Sequence, residues 1–185
     1  MANAIPCFKK NDPTDKSNYR PISIVPVFST VFETILYEQI LIFIEPRFDK
    51  LLCGFRRCYN TQHALFSLHN KWHDCFNNGG VVGSILLDLT KAYDYIPHDL
   101  LIAKLDADDF SKESLNLLLF YIFSRNQRVK IGSSASNWVD ILSGVSQRSI
   151  LGPIMFNIFI NDLFLFIKDM EFCNFADDNT IYACD

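Results

Sequence analysis

The spacing of hydrophobic and polar positions changes along the chain, and the changes predict helices and strands in an irregular order. Apolar residues recur at helical spacing after Thr30 and again from Ala64 to Phe76. Thr30 and Glu33 have the spacing of a capping box, which predicts that the first helix runs from Thr30 to about Glu45. A short apolar run bounded by turn residues, Val81 to Leu87, predicts a buried strand instead.

The rest of the chain continues this mixture of elements. Prolines make the segment 5–26 extended or turn-rich. The other predicted elements are a helix from Pro97 to Leu105, a helix capped by Ser111, a strand pair between Gln127 and Leu142, an apolar helix from Pro153, and a hairpin from Phe172 to Tyr182 with Ala176, Asp177 and Asp178 at its tip. Helices and strands do not alternate regularly, so the sequence indicates the α+β class. The apolar stretch 150–167 contains polar residues and is shorter than the roughly 20 residues of a spanning helix, so we expect a core helix and no membrane.

Composition and charge exclude some classes of protein. With 185 residues, 49% hydrophobic and 21% charged, the chain is one domain, two at most, and not wholly disordered. A net charge of −4 argues against nucleic acid as a partner. The charge is uneven, however, because residues 1–71 carry nine Lys and Arg against six Asp and Glu, whereas residues 72–185 carry eight against fifteen. The basic part suits phosphate groups, so the average charge does not exclude nucleic acid.

The six cysteines bear on where the protein works. They are scattered, they form no CxxC pair, and no signal-peptide core follows Met1. We therefore expect a reducing, intracellular location, either the cytoplasm or the nucleus.

Three aspartates are the first candidates for chemistry. Asp88 ends the predicted buried strand, and Asp177 and Asp178 lie side by side at the predicted hairpin tip. A carboxylate at the end of a buried strand costs desolvation energy unless it is paired. The three acids would be explained if they converge on a divalent cation such as Mg²⁺, which takes carboxylates together with substrate phosphates. From spacing alone the alternative stays open that Asp88 caps a turn and the Asp pair forms a plain β-turn.

Five motifs in a fixed order resemble a known family. They are Lys9-Lys10-Asn11-Asp12-Pro13, Asn18-Tyr19-Arg20-Pro21-Ile22-Ser23, Leu87-Asp88-Leu89-Thr90-Lys91-Ala92-Tyr93-Asp94, Ser149-Ile150-Leu151-Gly152-Pro153 and Phe175-Ala176-Asp177-Asp178. Together they resemble the reverse transcriptases of LINE-type (non-LTR, jockey-like) retrotransposons, from about Ile5 to Cys184. The resemblance implies a polymerase right-hand fold, with an antiparallel palm sheet packed on helices. Residues 1–80 would be mainly fingers and 81–185 mainly palm with part of the fingers, and the thumb would be absent.

The resemblance also implies a reaction and its partners. The reaction is RNA-directed DNA synthesis, in which a primer 3′-hydroxyl attacks the α-phosphate of a deoxynucleoside triphosphate (dNTP). The implied partners are an RNA template, a DNA primer and dNTPs, and the implied cofactor is a pair of Mg²⁺ ions, with Mn²⁺ as a substitute. Asp88, Asp177 and Asp178 correspond to the catalytic acids, and they would hold the metal together with the main-chain carbonyl of Leu89.

Further residues correspond to the family's nucleotide and template contacts. The implied nucleotide contacts are Arg20, either Lys9 or Lys10, Tyr93 and Gln147, and the implied template contacts are Gly54, Phe55 and Arg56. A guanidinium and a lysine suit a triphosphate, and a bulky ring beneath the sugar excludes a 2′-hydroxyl. The alternatives from the residues alone are a packing aromatic at Tyr93, solvated lysines at positions 9 and 10, and a loop arginine at position 20.

The chain departs from the family pattern in its second palm motif. The family usually has Gly-Val-Pro-Gln-Gly-Ser where this chain has Gly144, Val145, Ser146, Gln147, Arg148 and Ser149. Arg148 places a long cation where a glycine allows close approach of the backbone. With the thumb expected to be missing, this predicts a truncated remnant with impaired activity. A catalytically inactive nucleic-acid-binding fragment of the same fold, or an inert translated fragment, is the alternative.

Overall fold

Two β-sheets and six helices form the part of the chain that the computed structural model describes, residues 1–89, 91–145, 149–167 and 170–185. The strands are β1 Ala2–Phe8, β2 Tyr19–Ile24, β3 Val82–Asp88, β4 Asn126–Ile131, β5 Ser134–Ala135, β6 Val139–Asp140, β7 Glu171–Phe175 and β8 Asp178–Cys184. The helices are α1 Val27–Ile44, α2 Thr61–Asn77, α3 His98–Ala107, α4 Lys112–Phe123, α5 Leu151–Ile160 and α6 Leu163–Phe166. This mixture confirms the α+β class.

The first sheet has the order β2-β1-β4-β5, and β6 also pairs with β4. The N-terminal segment, expected only to be extended or turn-rich, forms the antiparallel pair β1–β2, and β1 pairs in parallel with β4. The predicted strand pair between Gln127 and Leu142 is confirmed by the short antiparallel pairing of β4 with β6. Because Phe8 pairs with Tyr19, Lys9 and Arg20 lie near the same end of this sheet.

The second sheet has the order β3-β8-β7, and the hairpin β7–β8 confirms the prediction for the end of the chain. The predicted burial of β3 is wrong: Ile85 is 62% and Leu86 77% exposed. Within the described residues β3 pairs with β8 alone and lies at the edge of the sheet. A short apolar run indicates a strand, but it does not indicate whether another element covers that strand.

The boundaries of α1 correct the capping-box prediction. The helix begins at Val27 after Pro26, so Thr30 lies inside it, and its hydroxyl donates to the carbonyl of Pro26 at 3.4 Å. Glu33 is only 2% exposed and does not cap the helix. The cap of α4 is as predicted, because the Ser111 side chain accepts from the Ser114 N–H.

The core is built around α5, which confirms the expected core helix. Eight of its ten residues are buried, and the helix packs against α1 and α3. Burying one large apolar side chain contributes about 1.5–3 kcal/mol, so α5 is a major source of stability. The core therefore holds α1, α3 and the segment leading into α5 in fixed positions.

Candidate active site

Strand register brings the candidate acids together. Asp88, the last residue of β3, is the cross-strand partner of Asp178, the first residue of β8. The two-residue turn Ala176–Asp177 precedes β8, so Asp177 lies beside the end of β3. Asp88 and Asp177 both line one cleft of about 790 Å³, whereas Asp178 is exposed and is not among the residues that line it.

The same cleft collects the candidate nucleotide contacts. Lys9 and Arg20 come from the first sheet and its adjoining loop, and Tyr93 follows β3. Lys10, the alternative to Lys9, is exposed and is not among the lining residues. The described residues that line the cleft are Lys9, Ser17, Tyr19, Arg20, Pro21, Phe55, Asp88, Leu89, Lys91, Ala92, Tyr93, Asp94, Ser149, Pro153 and Asp177. The cleft is thus lined by cationic side chains from the first sheet and its adjoining loop and by carboxylates at the end of the second sheet.

Tyr93 forms part of the floor of the cleft. Its ring packs on Phe156, with the centroids 4.6 Å apart, and meets Phe55 edge-on at 6.2 Å. Burial raises the pKa of the Tyr93 phenol well above its usual range, and the negative charge of Asp177 raises this pKa further. The hydroxyl is therefore neutral at physiological pH, and among the described residues it has no hydrogen-bond partner. The packing role and the proposed position beneath a nucleotide are compatible with this geometry.

The donor atoms fit a hard divalent cation. Asp88 and Asp178 face each other across the sheet, and like charges directly opposite are destabilising. In the described parts of the chain, neither Asp88 nor Asp177 forms an ion pair with a cationic side chain. Mg²⁺ takes one or two carboxylates and completes its shell with water and substrate phosphates. Among the described residues no group of three or more His, Cys, Asp and Glu could hold a metal ion.

The first two residues of the second palm motif are hydrogen-bonded to the segment that follows β3. Gly144 N–H donates to the carbonyl of Ile96 and Val145 N–H to that of Tyr93, both at 2.8 Å. Gly144 has φ +80°, and a Cβ there would lie 2.6 Å from the carbonyl oxygens of Tyr93 and Asp94, so only glycine fits. The following residues, Ser146, Gln147 and Arg148, lie outside the described residues, and so does the predicted nucleotide contact from Gln147.

Of the three candidate template contacts, only Phe55 lines the cleft. Gly54 is buried, and a Cβ there would lie 2.3 Å from the backbone nitrogen of Ala176. The Arg56 side chain is 7% exposed and pairs with Glu45 at 2.9 Å. It also donates to the main-chain carbonyls of Asp49 and Leu52, at 2.7 and 2.9 Å. Protein groups thus contact the Arg56 guanidinium and cover Gly54, and template contact by these two residues stays a prediction.

Lys91 and Tyr19 are among the cleft residues that the sequence did not identify as site residues. Lys91 lies between Asp88 and Tyr93 in the chain and has φ +52°, a left-handed conformation that is uncommon for lysine. Tyr19 precedes Arg20 and packs on Phe8, with the ring centroids 5.5 Å apart. Both lie within motifs already singled out, but one sequence does not show which motif residues face the cleft.

Comparison with known protein sequences points to one family. The family model described as "Reverse transcriptase (RNA-dependent DNA polymerase)" matches residues 8–185. The probable RNA-directed DNA polymerase from transposon X-element of Drosophila melanogaster is 28% identical over 171 residues, covering 89% of this chain and 19% of that protein. The RNA-directed DNA polymerase from mobile element jockey of the same species is 25% identical over 179 residues, covering 91% and 19%. The chain therefore spans about a fifth of the length of these relatives.

Solved structures show the same fold at low sequence identity. Apo telomerase from Candida tropicalis, truncated from its C-terminal domain, matches with a TM-score of 0.68 and 13% identity, covering 98% of this chain and 43% of that chain. Telomerase from the same species, bound to a fragment of telomeric RNA, matches with a TM-score of 0.67 and 14% identity, covering 99% and 36%. The described elements thus have the arrangement of a reverse transcriptase fingers and palm.

Proposed function

The chain belongs to the reverse transcriptase family, and from this membership we propose that it carries the fingers and palm of an RNA-directed DNA polymerase. Residues 1–80 would be mainly fingers, and residues 81–185 mainly palm with part of the fingers. The observation that carries the proposal is the single cleft that Asp88, Asp177, Lys9 and Arg20 line together. Nucleotidyl transfer requires carboxylates suited to a cation and cationic side chains suited to a triphosphate in one site.

The proposed reaction joins a primer to a dNTP. The primer 3′-hydroxyl loses its proton to solvent and its oxygen forms a bond to the α-phosphorus. The bond from that phosphorus to the bridging oxygen breaks, and pyrophosphate leaves with the electron pair. Lys9 and Arg20 would hold the triphosphate, and Tyr93 would lie beneath the sugar and exclude a 2′-hydroxyl. Mg²⁺ ions held by Asp88, Asp177 and the Leu89 carbonyl, with Asp178 adjacent, would neutralise charge on the phosphates. Catalysis by this chain would consist mainly of positioning.

The partners follow from this reaction. An RNA template, a DNA primer and dNTPs would occupy the cleft, with Phe55 and Gln147 as the remaining candidates for contact with template or nucleotide. Because the chain spans about a fifth of its relatives, other parts of a longer protein would supply further grip on the primer–template. We also propose an intracellular location and, because Arg148 replaces a glycine of the family pattern, a lowered rate.

Primer extension tests the proposal directly. The 185-residue chain, an RNA template with a DNA primer, dNTPs and Mg²⁺ would be combined, and Asp88→Asn and Asp177→Asn compared with the wild-type chain. We expect either variant to lower synthesis at least about a hundredfold, as expected when electrostatic stabilisation of the transition state is lost. Asp99→Asn, an exposed acid in the first turn of α3, is the matched control and should synthesise normally.

The other outcomes separate the alternatives. No synthesis by wild type, together with salt-dependent RNA binding that survives both substitutions, would support a non-enzymatic nucleic-acid-binding fragment. Lack of a cooperative unfolding transition would support an inert fragment. Faster synthesis by Arg148→Gly than by wild type would support the lowered rate.

A further inference from the structure

The turn that carries Asp177 rests on a pair of buried amides. Asn174 on β7 and Asn179 on β8 are cross-strand partners directly beneath the turn Ala176–Asp177. Their residues are 0% and 4% exposed. Strand residues at such positions are usually β-branched or aromatic, and burying an amide costs free energy unless its hydrogen bonds are made.

Hydrogen bonds from the two amides hold both residues of the turn. The Asn174 Nδ2 donates to the main-chain carbonyl of Ala176 at 2.8 Å and to the Oδ1 of Asn179 at 2.9 Å. The Asn179 Nδ2 in turn donates to the main-chain carbonyl of Asp177 at 2.9 Å. The two side chains therefore act as one unit that fixes the direction of both peptide planes at the tip.

The backbone at this tip needs such support. Ala176 has φ +56°, the left-handed region, which is strained for a residue with a Cβ. Two-residue hairpin turns that need this conformation usually have glycine or asparagine there. Gly54 lies directly against Ala176, and the Gly54 carbonyl accepts from the Asn157 Nδ2 of α5 at 2.7 Å.

The buried pair Asn174 and Asn179 lowers the stability of the fold in one respect. Among the described residues, the Asn174 Oδ1 is buried and has no hydrogen-bond partner. An unsatisfied buried acceptor lowers stability, because the group has lost its hydrogen bonds to water and gained none in the protein. An apolar pair at the same positions would avoid this cost, which indicates that the amides serve the geometry of the turn rather than stability alone.

We infer that Asn174 and Asn179 are positioning residues for Asp177, holding its carboxylate toward the cleft in a geometry that favours a divalent cation. The inference rests on the proposed function, because positioning of the Asp177 carboxylate matters for cation binding only if Asp177 is a metal ligand. It goes beyond that function by naming two residues that do not touch the metal or the substrate.

Binding of Mn²⁺ alone tests the inference without any polymerase assay. Free Mn²⁺ would be measured by electron paramagnetic resonance in titrations of wild type, Asp177→Asn, Asn174→Leu and Asn179→Leu. We expect wild type to bind Mn²⁺ in an Asp177-dependent way, and the two leucine variants to bind at least about fivefold more weakly, equivalent to about 1 kcal/mol.

A matched control separates positioning from general loss of stability. Asn161 also bridges two backbone groups, accepting from the Asp49 N–H at 2.8 Å and donating to the Arg47 carbonyl at 3.0 Å, but it does not line the cleft. Asn161→Leu should lower the thermal midpoint while leaving Mn²⁺ affinity unchanged. Adding Ala176→Gly to Asn174→Leu should restore Mn²⁺ affinity, because glycine adopts the turn conformation without help.

Each outcome decides a different question. Asp177-dependent binding in wild type with unchanged affinity in both asparagine variants would overturn the inference and leave the proposed function standing. Binding by wild type that does not depend on Asp177 would overturn both. If Asn174→Leu loses its cooperative unfolding transition, Asn179→Ser is compared with wild type instead. A Mn²⁺ affinity of Asn179→Ser equal to that of wild type would count against the inference.

Discussion

Lys9 and Lys10 are neighbours in the sequence, and the fold gives them different surroundings. Lys9 follows β1, and its N–H donates to the carbonyl of Asn18 at 2.8 Å. This contact continues the pairing of β1 with β2 and brings Lys9 to the same cleft as Arg20. Lys10 is exposed and outside the lining of the cleft. At the scale of single residues, the structure thus separates two candidates that the sequence left equal, and a nucleotide contact from Lys9 stays a prediction.

This choice can be tested with a pair of substitutions. Lys9→Ala should weaken dNTP binding about tenfold, because a charged hydrogen bond of about 1.5–3 kcal/mol is lost. Lys10→Ala should change it less than twofold. Dissociation constants from dNTP titration with a primer–template present provide the measurement. Equal effects of the two substitutions would show that the lysines act only through general charge.

Arg56 shows the opposite case, in which a motif residue serves the fold. Its guanidinium pairs with Glu45 and lies over the ring of Tyr59, with the carbon 4.5 Å from the ring centroid. These groups come from the end of α1 and from the loop before α2. The arginine therefore fixes the path of that loop, and the sequence motif alone does not separate this role from contact with a template.

At the scale of elements, α1 has two faces with different roles. Its buried residues Leu36, Ile40 and Ile44 pack into the core, whereas Phe28 is 91% exposed. By length and composition alone, with a mean hydropathy of 1.6, the helix could cross a membrane. The core helix of a soluble protein meets the same two criteria. The buried Glu33 links α1 to distant elements and so gives the helix a specific orientation.

Glu33 makes two contacts that join α1 to α4 and α5. One carboxylate oxygen accepts from the Tyr121 hydroxyl and the other from the Ile150 N–H, both at 2.7 Å. Ile150 is the residue before α5, so the carboxylate also lies at the positive end of that helix. The contact fastens the segment that leaves the second palm motif.

Removal of the Glu33 carboxylate should lower the stability of the fold. Glu33→Ala should lower the free energy of unfolding by about 3 kcal/mol, because a buried charged acceptor is lost and its two donors are left without partners. Glu38→Ala, on the exposed side of the same helix, should change it by less than about 0.5 kcal/mol. Urea unfolding of both variants provides the comparison. A Glu33→Ala variant as stable as wild type would mean that the donors find other partners.

At the scale of the whole molecule, the buried tyrosines couple stability to pH. Burial is the largest cause that raises the pKa of Tyr93, Tyr121 and Tyr182, and for Tyr182 the value is about 12. In the unfolded chain a tyrosine ionises near pH 10. Above that pH the unfolded chain binds fewer protons than the folded chain, so stability decreases as the pH rises.

The contribution of these tyrosines to the free energy of unfolding should therefore fall progressively between about pH 10 and 12. Urea unfolding across this range measures it, and tyrosinate absorbance reports the ionisation. Tyr182→Phe should show a shallower decrease, because one of the raised groups is gone. A decrease of equal slope in that variant would assign the effect to other groups.

The uneven charge also takes on meaning at this scale. The excess of Lys and Arg in residues 1–71 includes Lys9 and Arg20 of the cleft, and the acidic excess in residues 72–185 includes Asp88 and Asp177. The net charge of −4 therefore hides a basic excess in one part of the sequence and an acidic excess in the other. It shows only that the chain as a whole is not basic, and it does not exclude nucleic acid as a partner.

The sequence by itself determined the class, the family resemblance and most of the elements. Periodicity and turn residues are local properties, so the core helix α5, the cap of α4 and the hairpin β7–β8 could be predicted. The motif order identified Asp88, Asp177 and Arg20 as candidates, because the residue types suited to phosphate and cation are few.

Only the tertiary structure decided which residues meet. The exposure of β3, the burial of Glu33 and the inward position of Arg56 each depend on elements far away in the sequence. The same holds for the choice of Lys9 over Lys10 and for the amides beneath Asp177. The physical reason is that burial and these hydrogen bonds form between segments that are far apart in the sequence. Packing of the whole chain brings such segments together, and a local pattern of residues does not predict that packing.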